Sequence, residues 1–121
     1  MNIEKTLQQA IKHHQIGQLD DAEQWYRKIL QTEPKHPDAN HNLGILMMQK
    51  SQPDAALAFF NIAIESNPCV DQFWVSYIDT FIHLRQLSVA EKILELGRSV
   101  GLDAEAFKQL ETYLQSEYKK R

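Results

Sequence analysis

The sequence predicts an all-α fold built from repeated helix pairs, and three observations carry that prediction. First, apolar residues recur every three to four positions through residues 39–68. Leu43 and Ile45–Met48 mark the face of one helix, and Leu57, Phe60 and Ile64 the face of the next. Second, Ser51-Gln52-Pro53-Asp54 interrupts the pattern between them, because Pro53 is tolerated only in a helix's first turn. Third, the whole pattern returns on itself at a shift of 34 residues. One helix pair has too little apolar surface to bury by itself, so such pairs need stacked neighbours.

The register of the repeat is set by several residues jointly. Pro34 and Pro68 close equivalent helices, and Gly17, Ser51 and Arg85 share one turn position. Ala22, Ala56 and Ala90 come early in each second helix; Tyr26, Phe60 and Leu94 follow, then Ile29, Ala63 and Gly97. Gly44, Ala56 and Ala63 are small where the two helices of the central pair must cross closely. A helix-turn-helix period of this length, with small, large-aromatic and proline landmarks, resembles the tetratricopeptide repeat. The resemblance covers roughly residues 3–102. It implies a right-handed superhelical solenoid of three repeats, about 3–36, 37–70 and 71–102, with a capping helix at about 103–118, all in one domain spanning 1–121.

Within that frame the elements are read in order. Ile3, Leu7, Ala10, Ile11 and His14 give a first helix over 2–16 a broad stripe, and Gly17 stops it with a left-handed residue. Asp20 or Asp21 is expected to open the second helix, whose face is Ala22, Trp25, Tyr26, Ile29 and Leu30. Thr32-Glu33-Pro34-Lys35-His36-Pro37 closes the repeat, since residues before proline leave the helical region. The third repeat is the unusual one. Its first helix, about 71–84, carries Phe73, Trp74, Tyr77, Ile78, Phe81 and Ile82, and Trp74 stands where Thr6 and Asn40 stand in the other two. Ser88-Val89-Ala90-Glu91 reads as a capping box for the following helix. Gly101 stops that helix, and Asp103 is expected to cap the last one. The last helix has Ala106, Phe107, Leu110, Tyr113 and Leu114 on one side, with Glu105, Lys108, Gln109, Glu111, Gln115 and Glu117 on the other.

Composition narrows the function. The chain has 121 residues, enough for a modest core, and a net charge of −3 that leaves no nucleic-acid footprint. No apolar run approaches a membrane span, and Met1-Asn2-Ile3-Glu4-Lys5 lacks the features of a signal peptide, so a cytoplasmic protein is expected. Cys69 is the sole cysteine, which excludes an intrachain disulfide. There is no glycine-rich phosphate loop, no Cys-x-x-Cys and no His-Glu-x-x-His. His13 and His14 are adjacent, pointing about 100° apart on a helix, and His36 and His41 straddle Pro37. Neither pair reads as a dedicated metal site. A non-catalytic protein with no cofactor and no metal is expected.

The resemblance implies an interaction module that holds a peptide or partner protein on the concave face lined by the first helix of each repeat. The family's usual groove positions fall on Glu4, Leu7, Ile11 and His14 in the first repeat, and on Asp38, His41, Ile45 and Met48 in the second. In the third they fall on Gln72, Val75, Asp79 and Ile82. The neighbouring polar position, often asparagine where a ligand backbone is gripped, is Gln8, Asn42 and Ser76. Repeats that bind acidic chaperone tails use a carboxylate clamp of Lys, Asn, Asn, Lys and Arg. Those places here hold Leu7, Ile11, Asn42, Gln72 and Ser76, and without a cation a terminal carboxylate loses its charge-assisted bonds. The expected ligand is instead an extended or helical segment with apolar anchors and neutral or basic character. Packing between repeats explains apolar residues at the same positions equally well. Two other readings stay open. Gln72-Phe73-Trp74-Val75-Ser76-Tyr77-Ile78-Asp79 and Gly101-Leu102 resemble repeats in the N-terminal arms of bacterial glycosyltransferase-like or sulfotransferase-like enzymes. Alternatively, the apolar strip serves self-association of a structural subunit.

Overall fold

The structure, a computed structural model, describes residues 1–102 and 104–120. It has seven helices and, among the described residues, no strand. They are α1 Ile3–Gln15, α2 Leu19–Thr32, α3 Pro37–Gln49, α4 Pro53–Ser66, α5 Asp71–His83, α6 Leu87–Ser99 and α7 Ala104–Tyr118. The expected cap at Asp103 lies outside the described residues. The chain divides into two compact units, Met1–Ser66 and Asn67–Arg121.

The turn between the helices of each pair is built the same way three times. Gly17, Ser51 and Arg85 have φ of 81°, 60° and 62°, so the 34-residue spacing marks one left-handed backbone position whatever the side chain. Around it the closing bonds repeat. Gln18 N–H donates to the His13 carbonyl at 2.9 Å, Gln52 to Met47 at 2.8 Å and Gln86 to Phe81 at 2.9 Å. Bonds of this span tie off the free carbonyls of the first helix. The next helix then starts at once: Ala22, Ala56 and Ala90 N–H donate to the carbonyls of Gln18, Gln52 and Gln86 at 3.0–3.1 Å.

That immediate restart corrects two expectations about helix starts. α2 begins at Leu19 with Gln18 as its flanking residue, so Asp20 and Asp21 lie inside the first turn rather than at the cap. α6 begins at Leu87, one residue ahead of the Ser88–Glu91 pair, and its capping box does not form. Glu91 instead accepts a bond from the Tyr118 hydroxyl of α7 at 3.0 Å.

In the first unit α1 pairs with α2 and α3 with α4, while α2 and α1 both pack on α3. Ala10, Ala22, Tyr26, Ile29, Ala39, Leu43, Leu46, Ala56, Phe60 and Ala63 are fully buried. Gly44 lets the central pair close, because a Cβ there would collide with the ring of Phe60. At its edge the Lys50 ammonium joins Asp20 and, at 2.8 Å, Glu23 of α2. Its hydrogen bonds hold both carboxyls below the usual carboxylate range.

In the second unit α5, α6 and α7 each pack on the other two. Phe73, Trp74, Ile78, Phe81, Ile82, Ala90, Leu94, Phe107, Leu110 and Leu114 form its core. α7 is apolar on the expected side, but Glu117, expected to face outward, is buried. Arg85, held in its left-handed turn, donates to the Glu117 carbonyl at 3.1 Å, and the Lys120 ammonium lies 2.8 Å from the carboxylate. No helix among the described residues is long and apolar enough to cross a membrane.

Candidate functional site

The residues expected to line a groove fall into three groups in the structure. On α1, Leu7, Ile11 and His14 follow one another at helical spacing and are all half-buried. On α3, Asn42, Ile45 and Met48 do the same, and Asp38 is exposed at that helix's start. His41 is different. Only 8% of it is exposed, and its ring lies 5.5 Å from the Phe60 ring of α4. Burial pushes the His41 imidazole below its ordinary range, against a hydrogen bond to the Asn42 side chain and the charge of Asp38 that push it up. Its side chain is part of the α3–α4 packing. In the second unit Gln72 and Asp79 are exposed on α5 and Val75 is half-buried, whereas Ile82 is fully buried. Apolar periodicity alone could not separate Ile82 from Val75, since both continue the same stripe. Desolvation raises the Asp79 carboxyl above its ordinary range, and nearby His83 pulls it partly back.

The first unit brings some of these residues together around a cavity of about 440 Å³, lined by Ile11, His14, Gln15, Tyr26, Asn42 and Gln49. The His14 ring is part of its wall. Nε2 lies 2.6 Å from Gln49 Oε1 on α3, and Nδ1 lies 3.0 Å from the Tyr26 hydroxyl on α2. Gln49 Oε1 only accepts, so in the neutral ring Nε2–H donates to it and Nδ1 accepts from Tyr26. Tyr26 suits that role, because burial pushes its phenol up to about 12 and the hydroxyl keeps its proton. One imidazole on α1 thereby ties α1, α2 and α3 together at the rim of the cavity.

Sequence reasoning reached Ile11, His14 and Asn42 but not Gln15, Gln49 or the hydroxyl of Tyr26. Gln49 lies seven residues after Asn42, on the same face of α3, so continuing the stripe one step past Met48 would have found it. Tyr26 was read as core, and its ring is fully buried; only its oxygen reaches the site. Among the described residues no group of His, Cys, Asp and Glu side chains has the arrangement of a metal site.

Residues 14–69 match the family model described as tetratricopeptide repeat. No curated protein sequence matches the chain. Among solved structures, the chain is similar to the first tetratricopeptide domain of Spaghetti (RPAP3) bound to an HSP90 peptide, with 19% identity, 94% of this chain and 91% of that one covered, and a TM-score of 0.79. It is also similar to the TPR2B domain of yeast Sti1 in a pHsp70 complex, with 16% identity, 95% and 97% coverage and a TM-score of 0.83. A third is the tetratricopeptide domain of Sgt2 from Aspergillus fumigatus, with 18% identity, 94% and 78% coverage and a TM-score of 0.79. At these identities the likeness is one of fold. The chain is an all-helical protein with the tetratricopeptide-repeat fold.

Proposed function

We propose that this tetratricopeptide-fold chain is a non-catalytic interaction module that holds a peptide or partner-protein segment on the exposed side of α1 and α3. One observation supports this reading most. Ile11 and His14 of α1 share a single cavity with Asn42 and Gln49 of α3, and half-buried Leu7, Ile45 and Met48 extend the surface along both helices. Half-buried apolar side chains beside a few uncharged polar groups suit a ligand with apolar anchors, oriented through its amides. Exposed Glu4 and Asp38 add negative charge, and none of these positions is Lys or Arg, which favours a neutral or basic ligand. In the second unit Gln72, Val75 and Asp79 of α5 offer a contact of the same character.

Two of the similar structures carry chaperone peptides by their own descriptions, an HSP90 peptide and a pHsp70 complex. Here Leu7 and Ile11 replace the cationic and amide groups expected of a clamp for an acidic tail. A terminal carboxylate would find no ammonium or guanidinium among the cavity-lining residues. The reading of the chain as the arm of a larger bacterial enzyme rests on its sequence resemblance and is tested by the length of the native reading frame.

Selection from a random peptide library against the whole chain tests the interaction reading. Retained peptides are expected to be rich in apolar residues and poor in acidic ones. Asn42→Ala or Met48→Ala should weaken them by about 1–2 kcal/mol while circular dichroism stays unchanged. Full binding by both folded variants would remove the ligand from α1 and α3.

A further inference from the structure

The geometry points to a second recognition site in the first unit, where α1 meets α2 around Trp25: a receptor for the guanidinium of an arginine carried by a partner protein. It is separate from the α1–α3 surface proposed above and does not depend on it.

His13 of α1 and Asp21, Gln24, Trp25 and Lys28 of α2 line a cavity of about 440 Å³. Asp21, Trp25 and Lys28 succeed one another at helical spacing and form one stripe of α2. The His13 imidazole lies nearly parallel to the half-buried Trp25 indole, with 10° between the planes and 6.5 Å between centroids. His13 Nδ1 is 2.7 Å from Gln18 Oε1. That oxygen only accepts, so the neutral ring carries its proton on Nδ1 and keeps Nε2 as an acceptor. Among the described residues, the Asp21 carboxylate and the Gln24 carboxamide have no hydrogen-bond or ion-pair partner. An occupant therefore meets an aromatic face beside three acceptors: Asp21, the Gln24 oxygen and His13 Nε2.

One repeat later the chain fills the equivalent place itself. Phe59 of α4 stands 34 residues after Trp25, and Arg27 of α2 holds its guanidinium over that ring, Cζ lying 5.7 Å from the centroid. Glu23 accepts from Arg27 Nε at 2.8 Å and fixes its direction. Ring, guanidinium and carboxylate form one set there. At Trp25 the ring and a carboxylate, Asp21, are both in place, but the cation is the Lys28 ammonium, 5.4 Å from the indole centroid. Lys28 is exposed, and its ammonium is a strongly hydrated point charge on a flexible stem, so water readily takes it back. A guanidinium is planar, more weakly hydrated and a donor throughout. It stacks on an indole, the best of the aromatic faces for a cation, while its N–H groups reach the acceptors around it. An acidic group would meet the Asp21 charge and gain nothing from the ring. Arg27 reaches Phe59 from a neighbouring helix, and the matching occupant of Trp25 is likewise an arginine presented by a polypeptide surface.

The test titrates the whole chain, at constant ionic strength, with a glycine–arginine–glycine tripeptide blocked at both ends. Its citrulline and lysine counterparts and free arginine are run beside it. Binding is followed by the indole N–H signals in proton–nitrogen correlation spectra, with Trp74, already bonded to the Pro68 carbonyl, as the internal control. A saturable shift of Trp25 alone is expected with the arginine peptide. Citrulline keeps the shape and loses the charge, and should bind roughly fivefold weaker or not at all; lysine should be roughly threefold weaker. Asp21→Asn, at an exposed position, should weaken the arginine peptide by roughly threefold with the backbone spectrum in place. Lys28→Gln removes the competing cation and should tighten it by a similar factor. A Trp25 indole that does not move, citrulline bound as tightly as arginine, or either variant leaving the affinity unchanged would overturn the site. Free arginine bound tenfold tighter than the blocked peptide would give the cavity to the amino acid and overturn the partner assignment. So would a chain that sediments as a dimer and becomes a monomer as Trp25→Ala, since the arginine would then come from a second copy.

Discussion

The indole N–H of Trp74 donates to the carbonyl of Pro68 at 2.8 Å, and one repeat earlier Asn40 Nδ2 donates to the carbonyl of Pro34 at 3.1 Å. The two side chains share no chemistry except an N–H at the same reach. Each ties the first helix of a repeat to the proline that ended the previous one. In the first repeat Thr6 Oγ1 donates to the Asn2 carbonyl at 2.9 Å. All three repeats thus place a donor at this position on side chains of very different bulk. Trp74→Phe keeps most of the bulk and removes the donor. It should cost the second unit about 1 kcal/mol in urea denaturation, the worth of one hydrogen bond with its acceptor left behind. An unchanged midpoint would show that the indole acts by packing alone.

Gly44 and Phe60 make a coupled pair. Gly44→Ala places a methyl group where the Phe60 ring sits and should destabilise the chain by roughly 1–3 kcal/mol. Phe60→Leu by itself also destabilises, but it makes room. The double variant should therefore lose less than the sum of the two single losses in a denaturation cycle. Strict additivity would mean that α3 and α4 do not meet at this point.

The left-handed residues give a prediction in the opposite direction. Ser51 adopts φ of 60° with a side chain that disfavours it, whereas Gly17 holds the equivalent position at φ 81° without penalty. Ser51→Gly should stabilise by up to about 1 kcal/mol, and Gly17→Ala should destabilise by a similar amount. Thermal melts of the two variants moving the same way would contradict a shared turn geometry.

Tyr26 gives a pH prediction. Burial raises its phenol from an ordinary 10.0 to about 12 in the folded chain, so below pH 10 both folded and unfolded states hold the proton and the stability is unaffected. As pH climbs from 10 toward 12 the unfolded state loses its proton first and is thereby stabilised relative to the folded one. Stability should fall across that window, by an amount on the order of 2 kcal/mol. In Tyr26→Phe this part of the fall should vanish. Parallel pH curves for the two proteins would show that the phenol ionises as readily folded as unfolded.

The repeat, its turns and most core positions were legible because they follow from spacing alone. Ser51 and Arg85 share with Gly17 a backbone conformation that their own identities do not suggest; only the 34-residue period does. What stayed hidden depended on the exact register of a helix start or on a distant neighbour. The Ser88–Glu91 pattern has the letters of a capping box, yet the tight turn at Arg85 starts α6 two residues too early for it to form. His41 and Ile82 fall at groove positions of the repeat yet are interior, His41 against the Phe60 ring of α4. The polar half of the site was missed for a related reason. Gln49 could be placed on the face of α3 by spacing, but its bond to His14, 35 residues away in sequence, could not be read there.

The chain holds two tryptophans, and the structure assigns one to each unit: Trp25, half-buried on α2, and Trp74, only 4% exposed on α5. They are natural fluorophores in unlike settings. The Trp25 indole has the His13 ring stacked at 6.5 Å and the Lys28 ammonium 5.4 Å from its centre, close to side chains that alter emission, while Trp74 is shielded from solvent. Emission from Trp74 should shift to the red on unfolding more than that from Trp25. Replacing either by phenylalanine leaves a chain whose remaining signal follows one unit, so the melting of each can be watched optically without attaching a dye.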